Sequence, residues 1–274
     1  AGRCLSADCP PRTGLGTRPM AAAEIAGGVG PGAVVVDPVA GALQKAGLLL
    51  KALDRPAAFA PGDISVAHLR DAASTLAAAL PDLPVHPFEL DFDHDFTLPT
   101  AVRGLGPVLV FFPGSTIGNF DPDGAVCLLR RFARTDGARP LVPGVDRKQA
   151  AARLGRAYDD EEGVTAAFNL NVLARANRDV GADFDLDGFR HVALYNAEAG
   201  RIEMHLEAKR DQTVTLLGRR FTFKAGERIH TENSYKYAVA EFQALAAKAG
   251  WTAEDVWSDA EDLFSLYLFS RTID

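Results

Sequence analysis

FFPGSTIGNFDPD, residues 111–123, is the stretch from which the fold of this chain is read. Val108, Leu109 and Val110 run into Phe111 and Phe112, and so short and unbroken an apolar segment predicts a central strand covered on both faces. Pro113 and Gly114 then break the strand. Asp121 as a cap, with Pro122 at the first helical position, predicts a helix that Ala125, Val126, Cys127, Leu128 and Leu129 carry forward. In an open parallel sheet, the loop of such a strand–loop–helix unit lies beyond the carboxyl end of the strand, where ligands bind. Its polar groups, Ser115, Thr116 and Asn119, have two readings. They bond a polar small molecule, or together with Gly114 and Gly118 they turn the chain and satisfy its backbone.

The same alternation extends on both sides. Strands are predicted at Ala33 to Val36, Ala57 to Ala60, Val85 to Leu90 and Pro140 to Val145, with helices from Leu43 to Leu53 and from Ser65 to Leu80. Alternating strands and helices imply an α/β fold with a parallel, doubly wound sheet. The alternation stops after residue 147. A helix from Val164 to Arg178 precedes two strand-like runs, Arg201 to Ala208 and Gln212 to Phe223, and Lys209–Arg210–Asp211 between them predicts a hairpin. This is the pattern of an inserted α+β unit. An amphipathic helix from Lys236 to Ala249 and a strand from Phe264 to Ser270 would then complete the sheet. Residues 1–20, rich in Pro, Gly and Arg, read as irregular.

Composition narrows the chemistry. In 274 residues, 47% hydrophobic and 24% charged, there is room for one large or two modest domains around a substantial core. A net charge of −7 without a basic run argues against nucleic acid or an anionic membrane as partner and favours a small molecule. No apolar run is long enough to span a bilayer. Cys4, Cys9 and Cys127 have neither zinc-ligand spacing nor an even count for disulfides, which fits a reducing cytoplasm. The chain does not begin with Met and lacks an apolar signal core, so a processed or truncated N-terminus is expected.

Several residues qualify for a nucleotide-type cofactor. Strand one ends in DPVAGALQK, residues 37–45, with a single glycine, Gly41, in the turn; Asp63 near the end of strand two is placed to accept from ribose hydroxyls. Asp91 at the end of strand three, with Phe92 beside it, suits an adenine or is a solvated loop acid. In Asp93–His94–Asp95 successive side chains diverge, and no second His or Cys cluster has ligand spacing, so no metal is expected. The remaining histidines, His68, His86, His191, His205 and His230, accompany no Ser or Cys nucleophile motif, which argues against a hydrolase. Within RAYDDEEGVTAAFN, residues 156–169, Tyr158 offers a hydroxyl, and its acidic neighbours enrich the first turn of the next helix. In HTENSYKY, residues 230–237, Glu232 and Ser234 fall on one face of a strand, either as a site for an imidazole or amine or as an exposed strand face.

Taken in order, FFPGSTIGNF, AYDDEEGVTAAFNLNVLARAN, RIEMHL and TENSYKY resemble the S-adenosylmethionine-dependent histidine Nα-methyltransferases of ergothioneine biosynthesis. The resemblance runs from about residue 31 to the C-terminus. It implies a Rossmann-like class I methyltransferase domain, residues 26–147 and 237–274, with a smaller substrate-binding domain made of residues 1–25 and 148–236. It further implies that Asn119 and Tyr158 hold the carboxylate end of an amino-acid substrate, that Glu232 and Ser234 hold its imidazole, and that Met204 lines the pocket. Asp37, Gly41, Lys45, Asp63, Asp91 and Phe92 match positions that hold S-adenosylmethionine. A cytoplasmic monomer without metal is the corresponding expectation.

The sequence departs from the family at two places. Where the family's first cofactor motif reads E-x-G-x-G, this chain has Asp37–Pro38–Val39–Ala40–Gly41, which puts a Cβ at Val39 and a stiff proline in the turn. Where the family has a tyrosine-containing stretch like YYPTR, this chain has Asp8–Cys9–Pro10–Pro11–Arg12, without the hydroxyl. GVDRKQ, residues 144–149, matches its counterpart only loosely. Two alternatives therefore stand beside the leading reading: a weak or inactive member that binds an amino acid or protein partner without methyl transfer, and a methyltransferase for another amine such as an indole-containing amino acid.

Overall fold

The structure, a computed structural model, describes residues 19–40, 43–91 and 94–272. The chain divides into two compact units, residues 1–147 with 237–274, and residues 148–236.

In the first unit, β1 (Val34–Asp37), β2 (Ala58–Asp63), β3 (Phe88–Glu89), β4 (Val108–Phe112) and β5 (Ala138–Asp146) run parallel. β12 (Phe264–Arg271) joins β5 antiparallel, and β11 (Trp251–Ser258) pairs with β12. The strand order is β11-β12-β5-β4-β1-β2-β3. Every residue of β1 and β4 is buried, as their continuous apolar sequences require for strands covered on both faces. The chain leaves β1 toward β2 and β4 toward β5, so the order reverses between β1 and β4. This reversal opens a crevice at their carboxyl ends and fixes where the turn after Asp37 and the loop after Phe112 lie.

Helix α4 (Pro122–Arg134) starts as its sequence predicts: the Asp121 carboxylate accepts from the Gly124 N–H at 2.7 Å, and Pro122 occupies the first turn. Its Leu128, Leu129 and Phe132 are fully buried, Phe132 meeting Phe112 edge-on at 5.3 Å. Trp251 closes this side by donating its indole N–H to the Leu129 carbonyl at 2.9 Å.

Several expectations are corrected. Strand three is two residues long rather than Val85 to Leu90, because Pro84 and Pro87 have no N–H to give to a ladder; Val85 makes only an isolated bridge to Phe59. Helix α1 (Pro19–Val29) starts inside the stretch read as irregular and buries Ile25 and Ala26 in the core of the first unit. The described part of residues 1–25 thus belongs with the sheet and not with the insert. β11 follows α7 (Val239–Ala247) unannounced, and α7 is shorter than Lys236 to Ala249. Its start is set by Glu241, whose carboxylate accepts from the Ala238 N–H, whereas the Lys236 N–H is bonded to the Gly200 carbonyl and cannot enter the helix.

The second unit holds an antiparallel sheet of order β10-β7-β6, formed by β6 (Phe189–Asn196), β7 (Arg201–Ala208) and β10 (Arg228–Tyr235), with α5 (Ala151–Tyr158) and α6 (Val164–Val180). A separate hairpin pairs β8 (Gln212–Leu216) with β9 (Arg219–Phe223). The run Gln212 to Phe223 is therefore two strands and not one, and no hairpin forms at Lys209–Arg210–Asp211. The turn is at Leu217–Gly218, both at positive φ (51° and 74°), the geometry of a two-residue hairpin loop. Leucine at such a position hides the signal that asparagine would give. No helix of the described residues is long and apolar enough to cross a membrane.

Candidate functional site

In the first unit Asp37 and Asp63 end β1 and β2, and Asp91 follows β3. Asp37 is buried, at 3% exposure. One carboxylate oxygen accepts from the Val39 N–H at 3.1 Å, which folds the DPVA turn, and Ala40 N–H bonds the Gly62 carbonyl at 3.0 Å. Val39 is half-buried and is not among the residues at positive φ, so the β-branched side chain is accommodated without left-handed backbone. Burial pushes the Asp37 carboxyl up from 3.8 to about 7; the Val39 N–H and the Lys45 ammonium oppose the rise, and Asp63 adds to it. Asp37 thus feels the charges of both Lys45 and Asp63.

Asp63 does double duty in the backbone, its carboxylate accepting from the Ser65 N–H at 2.8 Å and its carbonyl from Leu90 N–H at 3.2 Å. Ser65 stands at the cap position of α3 (Val66–Ala79) but its side chain makes no cap hydrogen bond, and the Asp63 carboxylate instead holds the N–H of Ser65 itself. Asp91 is half-exposed, its carboxylate 3.0 Å from His94 Nδ1. Gly41, Phe92 and Asp93 lie outside the described residues, as do Cys4, Cys9 and Asp8 to Arg12.

In the loop after β4, Ser115 satisfies backbone groups as one of the two readings expects. Ser115 adopts a left-handed conformation, φ 57°, although it is not glycine. Its N–H donates to the Gly144 carbonyl at 3.1 Å and its hydroxyl accepts from the Asp146 N–H at 2.9 Å, which hold the strained residue against β5. Gly144 answers from the other side: a Cβ there would stand 2.8 Å from the Pro113 carbonyl carbon. Ser115 and Thr116 are buried, whereas Asn119, last residue of the short 3-10 turn Thr116–Asn119, is half-buried at the crevice.

The second unit brings together four of the predicted substrate residues. Met204 and Glu232 are directly paired across β7 and β10, with Ser234 opposite Ile202, so Glu232 and Ser234 share the face on which Met204 is buried. The Tyr158 and Ser234 hydroxyl oxygens are 2.8 Å apart. Lys236, at 2% exposure, donates from its Nζ to both, at 2.7 and 2.8 Å, and lies 4.8 Å from the centre of the Tyr158 ring. Burial pushes the Glu232 carboxyl from 4.5 up to about 7, with the Lys236 ammonium pulling it down.

A further layer, absent from the expected site, holds Tyr158 in place. Asn169, also buried, donates its side-chain amide to the His205 carbonyl at 3.1 Å and to His191 Nδ1 at 2.9 Å. With Nδ1 accepting, His191 carries its proton on Nε2 and donates it to the Tyr158 carbonyl at 2.7 Å. Asn169 and Lys236 both stand inside motifs already singled out, but nothing in a single sequence distinguishes them from their polar neighbours. The acids after Tyr158 contribute a cap: Asp160 accepts from the Val164 and Thr165 N–H groups, both at 2.8 Å, and the Thr165 hydroxyl above all, with these N–H groups, holds its carboxyl down to about 2.

The expectation that no histidine cluster forms is corrected. His205 and His230 are opposite one another on β7 and β10 and stack at 4.6 Å, and Glu203 is two residues before His205 on the same face, so three potential ligand atoms lie within 4.8 Å. The Glu203 carboxylate is already bound by Asn196 and Arg201, which hold it down to about 2. This is the sheet face away from Glu232, and its charges form a ladder with Arg190, Glu207 and Arg228.

Residues 19–271 match the family model described as histidine-specific methyltransferase, SAM-dependent. The chain is 39% identical over 216 residues to a histidine N-alpha-methyltransferase of Mycolicibacterium smegmatis, covering 78% of this chain and 66% of the relative. It is 38% identical over 239 residues to a histidine N-alpha-methyltransferase of Mycobacterium tuberculosis, covering 84% of this chain and 73% of the relative. Ergothioneine biosynthesis protein 1 of Neurospora crassa is 28% identical over 259 residues, 92% of this chain and 29% of that protein. The chain thus spans two thirds to three quarters of the length of the two bacterial relatives.

Proposed function

Because the chain belongs to the family of histidine-specific, S-adenosylmethionine-dependent methyltransferases, we propose that it transfers methyl groups from S-adenosylmethionine to the α-amino nitrogen of histidine, the reaction of ergothioneine biosynthesis. The observation that carries the reading is the Tyr158–Ser234–Lys236 hydrogen-bonded group beside Glu232: a compact set of donors and a carboxylate, all in the motifs that resemble the family's substrate site.

The first unit offers a donor set that fits the cofactor. Carboxylates at Asp63 and Asp91, at the ends of β2 and β3, suit ribose hydroxyls and an adenine amine, and Asp37 with Lys45 lines the turn after β1. Bound S-adenosylmethionine supplies a sulfonium methyl that is already activated. The chain's own work is alignment, since a correctly oriented amine needs little further catalysis. Asn119 offers an amide to the carboxylate end of the amino acid and Tyr158 a hydroxyl. Glu232 accepts from the imidazole N–H, Ser234 bonds the other ring nitrogen, and Met204 provides an apolar wall. Two polar groups for one ring favour imidazole, with two nitrogens, over indole, with one donor. The amine must shed its proton to expose a lone pair.

Incubation of the purified protein with S-adenosylmethionine and histidine, followed by mass spectrometry, tests the reading. Histidine heavier by one or more methyl groups, with S-adenosylhomocysteine formed in step, is the expected result. Binding of both ligands without transfer would instead identify a member that binds but does not methylate.

A further inference from the structure

Lys236 is a buried cation whose presence the proposed reaction does not by itself require. It follows β10 in extended backbone, its N–H bonded to the Gly200 carbonyl, so residues 232, 234 and 236 share one face. An ammonium carries three donors and no acceptor. Both hydroxyl oxygens in contact with it, Tyr158 Oη at 2.7 Å and Ser234 Oγ at 2.8 Å, therefore accept a hydrogen bond from it and cannot donate one to it. The two hydroxyls also lie 2.8 Å from each other, so a hydrogen bond joins them as well, with either oxygen as its donor.

We propose that Lys236 is a positioning residue of this site: its ammonium fixes the polarity of the Tyr158–Ser234 pair so that it meets the amino acid as a hydrogen-bond donor. The inference rests on the amino-acid reading above. A ligand atom seated there must bring a lone pair, either a carboxylate oxygen or an unprotonated ring nitrogen. Glu232, on the same face, takes the complementary ring N–H. The two together select a neutral imidazole in one tautomer, and a second N–H on the ring would find a donor facing it.

The test is calorimetric titration of histidine into the full chain saturated with S-adenosylhomocysteine. Lys236→Met raises the histidine Kd by about 10- to 100-fold, the size of a lost charge-assisted hydrogen bond, while the affinity for S-adenosylhomocysteine stays within about twofold of the parent. Lys236→Gln, which keeps two N–H donors, recovers part of the loss. On a Ser234→Ala background, Lys236→Met costs less than in the parent, since part of its action passes through that hydroxyl. Histidine affinity unchanged in Lys236→Met, or an equal loss in both backgrounds, overturns the proposal while leaving the amino-acid reading intact. A parent protein that binds S-adenosylhomocysteine but no histidine overturns both.

Discussion

The two units place polar groups under opposite conditions. In the first, Asp37 is a carboxylate at the end of a wholly apolar strand, and one backbone N–H together with the field of Lys45 only partly offsets its burial. In the second, Tyr158, Ser234, Lys236, Asn169 and His191 are joined by hydrogen bonds whose donors and acceptors match at each contact. A buried polar group with matched partners is held in one geometry, whereas one with too few remains costly until a ligand or a proton arrives. The first unit should therefore be sensitive to protonation and the second to the loss of a single partner.

Asp37 gives the largest expected effect. Its carboxyl titrates near 3.8 in the unfolded chain and near 7 in the folded one. Between those values the folded state holds a proton that the unfolded state has lost, so stability falls as pH rises from about 4 to about 7 and is level above. Asp37→Asn removes this slope, gaining up to about 4 kcal/mol at pH 8 over the parent and almost nothing at pH 4. Denaturant titrations of both proteins at the two pH values measure the difference, and equal slopes would remove the contrast between the units.

Gly144→Ala comes next. The added methyl meets the Pro113 carbonyl and the Phe264 ring, and moving backbone to relieve it costs about 3 kcal/mol, read as a lowered thermal midpoint. In the second unit, Asn169→Leu leaves His191 Nδ1 and the His205 carbonyl without their donor and costs about 1–3 kcal/mol of stability. Glu232→Ala raises the histidine Kd about 10- to 100-fold and leaves S-adenosylhomocysteine binding unchanged, with calorimetry as the readout. Smallest is Val39→Gly: since Val39 needs no positive φ, cofactor affinity shifts by less than about fivefold, an effect below 1 kcal/mol.

What could be read in the sequence follows the same division. Strands β1 and β4 are buried on both faces, so their apolar runs are unmistakable, and Asp121–Pro122 marks the start of α4 through local chemistry alone. β6 is largely half-buried and β11 half exposed, and both mix polar with apolar residues, which left no run to detect. Glu232 and Ser234 were legible as a same-face pair because alternation is a local property. Lys236 and His191 were not: the first bonds Tyr158, 78 residues away, and the second bonds Asn169 across 22 residues, and neither spacing is periodic. The Glu203–His205–His230 group escaped for the same reason, its members brought together only by the register of β7 and β10.

The most direct measurement is calorimetric titration with S-adenosylhomocysteine and histidine, singly and together. The account predicts that S-adenosylhomocysteine binds despite the DPVA turn, that histidine binds the saturated protein, and that Glu232→Ala weakens only the second interaction, by about 10- to 100-fold. Absence of heat from S-adenosylhomocysteine, or histidine binding that is indifferent to Glu232, would contradict it.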